Sequence, residues 1–368
     1  MFGLNLDQKS FVVRATYLLG LAALLVVVLQ FGKSVFVPLV GAMLLAFLVL
    51  PVVNKLNTCC LPNWLSSLLS VLTVVVSGLV LFAFLWWQLL SFVDDMPAMQ
   101  TAIEAKKRAT FKYIEQEYHI SRGDQRNWLE EKTEAFWNSA SSDSLSIFSA
   151  TGSAVATFLL IPICMFFLLL YREKFKQFLH LLNPDSHDKV LAVFRKISVV
   201  SQQYVRGVAI VIVILTVLNT IGFTLLHLKY ALLLGFLAAV LNVIPYVGVL
   251  IGSLLPVVIA LVTKDSPMYA VGAFGVCLFV QFLENNFITP KVVGSSVNLN
   301  PLASMLALLL GGLVWGVAGM VLAIPLAGIF KVVCDHVLPL KPYGFLIGEE
   351  QDASDLRTKT RRLIIWKN

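Results

Sequence analysis

Apolar residues in this chain run in long blocks, and polar residues gather in the stretches between them. Within a block the apolar positions are nearly continuous, without the one-sided spacing of a surface helix. A helix of roughly 20 such residues crosses the roughly 30 Å of hydrocarbon in a bilayer. The pattern predicts an all-α, polytopic membrane protein with about eight transmembrane segments. These segments are 15–32, 34–53, 64–93, 147–171, 205–227, 230–262, 268–288 and 302–334.

The alternation of apolar and polar stretches also predicts how the chain is organised. In order, the parts are three N-terminal spans (1–93), a polar helical insertion on the outer side (94–146), the fourth span (147–171), a cytoplasmic amphipathic segment (172–204), the C-terminal membrane core (205–336) and a cytoplasmic tail (337–368). The core contains a broken-helix region at 230–262 and a polar cluster at 281–294. The insertion is expected either to cap its own protein or to contact other copies through its aromatic residues.

Basic residues beside the apolar blocks predict the orientation in the membrane. The stretch 172–204 carries six lysines and arginines, and the tail is basic as well, which is typical of the cytoplasmic side. If region 230–262 is one kinked span, eight crossings place both termini in the cytoplasm. If it is a re-entrant hairpin, the later spans invert and the tail is expected outside.

Composition agrees with a membrane protein and removes other classes. The chain is 58% hydrophobic and 13% charged, whereas soluble domains have roughly 45–50% apolar and about 25% charged residues. The net charge of +7 comes from residues that flank the apolar blocks. We therefore expect the lipid bilayer, and not nucleic acid, as the partner of these basic residues.

Common signatures of catalysis and metal binding are missing from the sequence. It contains no GxxxxGK[ST] loop, no HExxH and no GxSxG, so ATP hydrolysis and common hydrolase chemistry are not expected. Its five cysteines form no CxxC pair and no Cys/His spacing suited to zinc. We predict no enzyme activity, no cofactor and no metal.

Helix-breaking residues interrupt the sixth block. Pro245 removes a backbone donor, and Asn242 supplies a side-chain amide beside it. Backbone groups freed at membrane depth need protein or a water-filled cavity to satisfy them, and secondary transporters place their sites at such breaks. Asn242, Pro245, Tyr246 and Gly248 are therefore candidates for a substrate or coupling-ion pathway. A packing kink explains the same residues equally well.

A second polar cluster lies in the sequence QFLENNFITPKVVG, residues 281–294. Helical spacing places Gln281, Glu284 and Asn285 on one face. Pro290 disfavours helical backbone at the residue before it, so the cluster is expected in the last turns of the seventh span. These three polar residues are further candidates for the pathway.

Glu284 is the strongest candidate for ion coupling. A carboxylate within a membrane segment is costly and suggests a function. Burial favours its protonated form, so Glu284 is a candidate proton carrier. Alternatively, it lies at the membrane surface and pairs with Lys291 or Arg206. Arg206 begins the fifth span, where the preceding interfacial helix is expected to turn into the membrane, and is included in the pathway.

Glycines and prolines mark the remaining turns. Only a short Gly32-containing link separates the first two blocks, which predicts a tight hairpin. Pro301 fits the start of the last helix, Gly312 and Gly316 form a close-packing face, and Pro325 interrupts the helix beyond them. These features suit either movement or tight packing.

Six stretches in this order resemble the AI-2E family of transporters, the PerM-like permeases. They are FVPLVGAMLLAFLVLPVVNKL, FFLLLYREKF, YVRG, NVIPYVGVLIGSLLP, QFLENNFITPKVVGSSVNLNP and GGLVWGVAGMVLAIPLAGI. One departure is Val208, where the resemblance implies a glutamine. The resemblance implies a protein of the bacterial inner membrane, with members described as exporters of autoinducer-2, others as sodium/proton antiporters, and assembly into homo-oligomers such as pentamers.

Residues and resemblance together predict a secondary transporter without an ATP site. It would move a small polar solute, by resemblance autoinducer-2, with coupling to protons or sodium. A sodium/proton antiporter is the first alternative. A passive channel or a non-transporting membrane scaffold is the second.

Overall fold

The computed structural model describes residues 6–59, 61–95, 101, 159–182, 187–293 and 297–349. Within these ranges helices are the only regular elements, and the predicted all-α membrane fold is confirmed. Almost all of the predicted insertion, the first part of the fourth span and the tail beyond residue 349 lie outside the described residues.

The described helices are numbered in chain order. They are α1 Leu6–Phe31, α2 Lys33–Thr58, α3 Asn63–Asp94, α4 Leu159–Leu170, α5 Arg172–Leu182, α6 His187–Leu225, α7 Ala231–Leu241, α8 Val247–Thr263, α9 Met268–Leu283, a π-helical turn Glu284–Ile288, α10 Thr289–Val292, α11 Pro301–His336, a 3₁₀ turn Leu338–Leu340 and α12 Lys341–Ile347. Five segments are long and apolar enough to cross a membrane: Lys33–Thr58, Asn63–Phe92, Val190–Leu225, Met268–Val292 and Pro301–His336.

The chain divides into two compact units. One comprises Met1–Leu50, Leu160–Gln202 and Val297–Asn368, and the other comprises Pro51–Leu159 and Gln203–Ser296. The second unit holds both of the predicted polar regions. Its core joins α6, α7, α8 and α9 through a cluster of buried apolar side chains, namely Phe223, Leu228, Leu234, Ile259, Ala260, Ala270 and Ala273.

Residues 231–263 form a helical hairpin and not one kinked span. α7 and α8 lie side by side in antiparallel register, since Gly252 packs on Ala238 and Gly248 on the carbonyl of Leu241. A Cβ atom at Gly248 would lie 1.6 Å from that carbonyl oxygen, so only glycine fits there. The 11 and 17 residues of the two helices rise about 16 Å and about 25 Å, less than the hydrocarbon thickness.

Backbone hydrogen bonds within the turn of this hairpin satisfy several of its N–H and carbonyl groups. The N–H of Ile244 donates to the carbonyl of Leu241 at 2.8 Å, and the N–H of Gly248 donates to Ile244 at 3.0 Å. Pro245 has no N–H to satisfy, and Tyr246 adopts a positive φ of 63°. The chain therefore reverses direction within a few residues.

The last apolar segment, α11, is a hairpin as well. Gly316 has φ 63° and ψ −138°, a conformation that residues with a Cβ atom adopt only under strain. Gly311 and Gly319 face each other across this turn, and a Cβ at Gly319 would lie 1.9 Å from the Gly311 oxygen. The prediction that Gly316 belongs to a close-packing face is therefore wrong, because Gly316 forms the turn. Gly312 does pack against Met320.

Asn300 anchors the start of the Pro301–His336 hairpin. The predicted helix start is confirmed, because the side-chain oxygen of Asn300 accepts a hydrogen bond from the N–H of Ala303 at 2.7 Å. The side-chain nitrogen of Asn300 donates to the carbonyl of Leu346 in α12 at 2.8 Å. Pro325 does not interrupt α11, since it is buried within the helical second arm.

Two predicted turns are absent. The N–H of Gly32 donates to Val28, and the N–H of Phe36 donates to Gly32, both at 2.9 Å. α1 therefore continues into α2 at a bend, without the predicted hairpin loop. α6 runs unbroken through Arg206, where a turn into the membrane was expected, and its 39 residues rise about 58 Å.

We expect Gly316→Ala to lower the free energy of unfolding by about 1–3 kcal/mol, because alanine is strained at this φ and ψ. Thermal unfolding of the purified protein in detergent measures the effect. Gly78 lies within α3 with open space where a Cβ would go, so Gly78→Ala is the matched control and should be neutral or stabilising. Equal melting temperatures for Gly316→Ala and the wild type would contradict the expectation.

Candidate functional site

A pocket with four polar side chains in its lining lies in the second unit, beside the tip of the α7–α8 hairpin. It has a volume of about 80 Å³, and residues of α6, α7, α8 and α9 line it. Most of the lining is apolar. The polar side chains of the lining are Asn219, Asn242, Ser253 and Gln281. The hairpin thus brings the two predicted polar regions together, with Asn242 from the first and Gln281 from the second.

Asn219 is the most deeply buried polar residue of the pocket. It is 5% exposed, and its side-chain amide forms no hydrogen bond with any residue that the structure describes. The same holds for the side-chain amide of Asn242, which follows the last residue of α7. Neither amide is among the fully buried polar atoms without a partner, and Asn242 is half-buried, so both keep access to the open space of the pocket. The pocket therefore offers two amides that a bound polar molecule would satisfy.

Gln281 connects the pocket to the predicted polar cluster. Its side-chain nitrogen donates to Glu284 Oε2 at 2.7 Å and to Asn285 Oδ1 at 3.3 Å. The three side chains share one face, as their spacing predicts, while Asn286 turns away and donates to the carbonyl of Phe282. Both N–H groups of Gln281 are used in this way, and Gln281 also lines the pocket.

Glu284 is buried and held by uncharged partners. It is 8% exposed, and its second oxygen accepts a hydrogen bond from the Thr289 hydroxyl at 2.5 Å. Neither Lys291 nor Arg206 forms an ion pair with it among the described residues. Val292, the end of the segment, lies eight positions after Glu284, a rise of about 12 Å. The structure therefore gives no support to a surface ion pair.

A π-helical turn places the Thr289 hydroxyl on Glu284. The N–H of Thr289 donates to the carbonyl of Glu284 five residues back, and Thr289 keeps helical φ and ψ of −60° and −45°. The predicted end of the helix before Pro290 is therefore wrong. The wider turn removes the clash between a proline ring and the carbonyl four residues earlier, and helical structure continues to Val292.

The other predicted pathway residues lie outside the pocket lining. Pro245, Tyr246 and Gly248 form the hairpin turn that positions Asn242, and the Tyr246 side chain is 79% exposed. Arg206 lies on α6, 13 residues before Asn219, which is a rise of about 20 Å along the helix. Pro290 lies in α10, directly after the π-helical turn, and Pro301, Gly312, Gly316 and Pro325 belong to the first unit.

Asn219 was missed in the sequence, although a signal was present. It is an isolated asparagine in the middle of the fifth apolar block, where a polar side chain needs a partner. A second omission is Lys331, which is 6% exposed and donates to Asp335 at 2.9 Å in the first unit. Glu284 is therefore not the only ionisable residue buried in an apolar helix.

The chemistry of the pocket suits recognition of an uncharged polar molecule. Its lining provides amide and hydroxyl groups and no Asp, Glu, Lys or Arg. Among the described residues no three His, Cys, Asp or Glu side chains come close enough to hold a metal ion. The arrangement offers hydrogen-bond donors and acceptors at a helix break, with one carboxyl group a single hydrogen bond away.

Secondary transporters share this arrangement of broken helices beside a pocket within apolar segments. Comparison with known proteins is more specific: residues 18–338 match the AI-2E family transporter. The chain belongs to this family. It is 29% identical to "Putative transport protein YrrI" of Bacillus subtilis, covering 84% of this chain and 88% of that protein. It is 27% identical to "Putative permease PerM" of Escherichia coli, covering 87% and 93%.

We expect water to reach the pocket from one side of the membrane. In a protein whose own cysteines are replaced by alanine, Ser253→Cys should react with a water-soluble maleimide because Ser253 lines the pocket. Leu254→Cys is the matched control. Leu254 is the next residue along α8, and its apolar side chain is 58% exposed and should face lipid. Equal labelling of the two positions in proteoliposomes would contradict a water-accessible pocket.

Proposed function

We propose that the protein is a secondary transporter of the bacterial inner membrane that binds a small polar solute in the pocket at the α7–α8 tip. The observation that carries this proposal is the convergence of Asn219, Asn242 and Gln281, from three separate helical elements, on one pocket. Two of these amides lack partners among the described residues. Membership of the AI-2E family supports the transport role.

The solute that the family suggests is autoinducer-2, moved outward. Amide and hydroxyl groups without charged side chains favour an uncharged solute that carries several hydroxyl groups. A volume of about 80 Å³ accommodates a few non-hydrogen atoms, so a larger solute would extend beyond the pocket. Glu284, one hydrogen bond from Gln281, is the group that would couple transport to protons.

The two hairpins support an orientation with the basic segments in the cytoplasm. A hairpin that enters and leaves on one side adds no net crossing, so the chain crosses twice between α5 and the tail, at α6 and at α9. The predicted inversion by one hairpin is cancelled by the second at Gly316. Residues 172–182 and the tail then share a side, which their lysines and arginines make cytoplasmic.

Accessibility of single cysteines tests this orientation in intact cells. Lys174→Cys in α5 and Lys341→Cys in α12 should both resist a membrane-impermeant maleimide until the membrane is opened. Ser266→Cys lies between α8 and α9 and should react in intact cells. Labelling of positions 174 and 341 from opposite sides would contradict the proposed orientation.

Transport is tested with autoinducer-2 in proteoliposomes. We expect Asn219→Leu to reduce the initial rate of autoinducer-2 transport about tenfold. The apolar side chain has a similar size but lacks the amide, and loss of one hydrogen bond to the solute would cost about 1.4 kcal/mol. Asn286→Leu is the matched control, since Asn286 is exposed and turned away from the cluster. Equal rates for the two variants would contradict binding in this pocket.

The same assay separates the alternatives. Flux of autoinducer-2 that cannot run against its gradient indicates a passive channel. Sodium-driven proton movement without autoinducer-2, lost in Glu284→Gln, indicates a sodium/proton antiporter. No flux of either kind indicates a scaffold.

A further inference from the structure

We propose that Gln281 is a specificity-determining residue whose amide reverses when Glu284 takes up a proton. In the ionised state Gln281 offers the pocket a carbonyl oxygen, and in the protonated state it offers the pocket an NH₂ group. The pocket would therefore change from an acceptor to a donor at one position.

The positions of the hydrogen-bonding atoms in the structure are compatible with an ionised Glu284. An ionised carboxylate only accepts hydrogen bonds, and Glu284 accepts one from Gln281 on Oε2 and one from Thr289 on Oε1. Asn285 also accepts from Gln281. The orientation of the Gln281 amide is thus determined by two acceptors on its own helical face.

Protonation makes this orientation unfavourable. A proton on Oε2 turns that oxygen into an O–H donor, which then faces the NH₂ group of Gln281, also a donor. A half-turn of the Gln281 amide replaces this conflict with a hydrogen bond from the Glu284 O–H to the Gln281 carbonyl oxygen. Asn285 is exposed, so its amide is free to turn and donate to the same oxygen.

The Thr289 hydroxyl is an alternative hydrogen-bond acceptor for a protonated Glu284. A proton on Oε1 could instead donate to the Thr289 hydroxyl oxygen, and the Gln281 amide would then stay as it is. The Thr289 hydroxyl hydrogen, however, would lose its acceptor on Glu284 and need another one. Valine has a similar shape to threonine and no hydroxyl. Replacement of Thr289 by valine therefore leaves Gln281 as the one side-chain partner of Glu284 among the described residues.

Few titratable groups lie on the neighbouring stretches of the helices around Glu284. Tyr204 and Arg206 lie on α6, Cys277 on α9 and Lys291 on α10, while α7 and α8 carry no ionisable side chain. None of the four forms an ion pair or hydrogen bond with Glu284 among the described residues. The hydrogen-bonding response to a proton therefore falls on Gln281 and Thr289.

Infrared difference spectroscopy of the full-length protein in liposomes tests the reversal without any solute. Acidification should produce a protonated-carboxyl band that is absent in Glu284→Gln. A shift of a side-chain amide carbonyl band should accompany it and be absent in both Glu284→Gln and Gln281→Leu. Asn286→Ala should keep both signals, and Thr289→Val should keep the amide shift.

Two spectroscopic results would overturn the proposal. One is a Glu284 carboxyl band without an amide shift, because the proton would then donate to Thr289. The other is the absence of any Glu284 carboxyl band from alkaline to acidic pH. Circular dichroism of each variant ensures that only folded protein is compared, and Gln281→Met provides a second variant without the amide if Gln281→Leu does not fold.

A second arm rests on the proposed function and uses autoinducer-2 as the probe. The concentration of autoinducer-2 that halves the reaction of Ser253→Cys with the maleimide should change about tenfold between alkaline and acidic pH. This change is equivalent to about 1.4 kcal/mol. In Glu284→Gln it should not change with pH. Protection that is independent of pH in both proteins overturns the reversal. Absence of protection at every pH counts against autoinducer-2 as the solute, and the spectroscopic arm still decides the reversal.

Discussion

Backbone groups that leave a helix inside hydrocarbon find no water to replace their lost hydrogen bonds. The fold depends on how the chain meets this constraint at its breaks. The α7–α8 turn meets it locally, with Ile244 and Gly248 donating to carbonyls three and four residues back. The break at Glu284 meets it with a π-helical turn, whose N–H groups reach one residue further. In both places the chain stays hydrogen-bonded while it changes direction or width.

Close helix packing turns these breaks into a site. The hairpins form because glycines let backbones touch, at Gly248 and Gly252 in one and at Gly311 and Gly319 in the other. Packing α7 against α8 places Asn242 at the tip, next to α6 and α9. Amides that are distant along the chain then line one pocket, where apolar walls make each unmet hydrogen bond costly. A solute that supplies these hydrogen bonds would therefore bind in preference to an apolar one.

Much of the membrane fold follows from local pattern. The length of the apolar blocks predicts the spans, Pro301 predicts a helix start, and helical spacing predicts the shared face of Gln281 and Glu284. Each of these depends on a few neighbouring residues. Pro290 shows where local reasoning fails, because its clash depends on which carbonyl lies behind it, and a π-helical turn moves that carbonyl away. The local pattern likewise predicts that Gly316 is a packing glycine, and only its φ and ψ show that it forms a turn.

The sequence by itself determined the class of the protein, the helical form of its apolar segments and the position of Glu284 within one of them. These properties come from hydrophobic length and from the preferences of single residues. The tertiary structure alone decided that region 231–263 reverses direction, that Gly316 forms a second turn, and that Asn219 shares a pocket with Gln281. The physical reason is that these outcomes depend on contacts between helices, and a contact is a property of two segments that no local pattern contains.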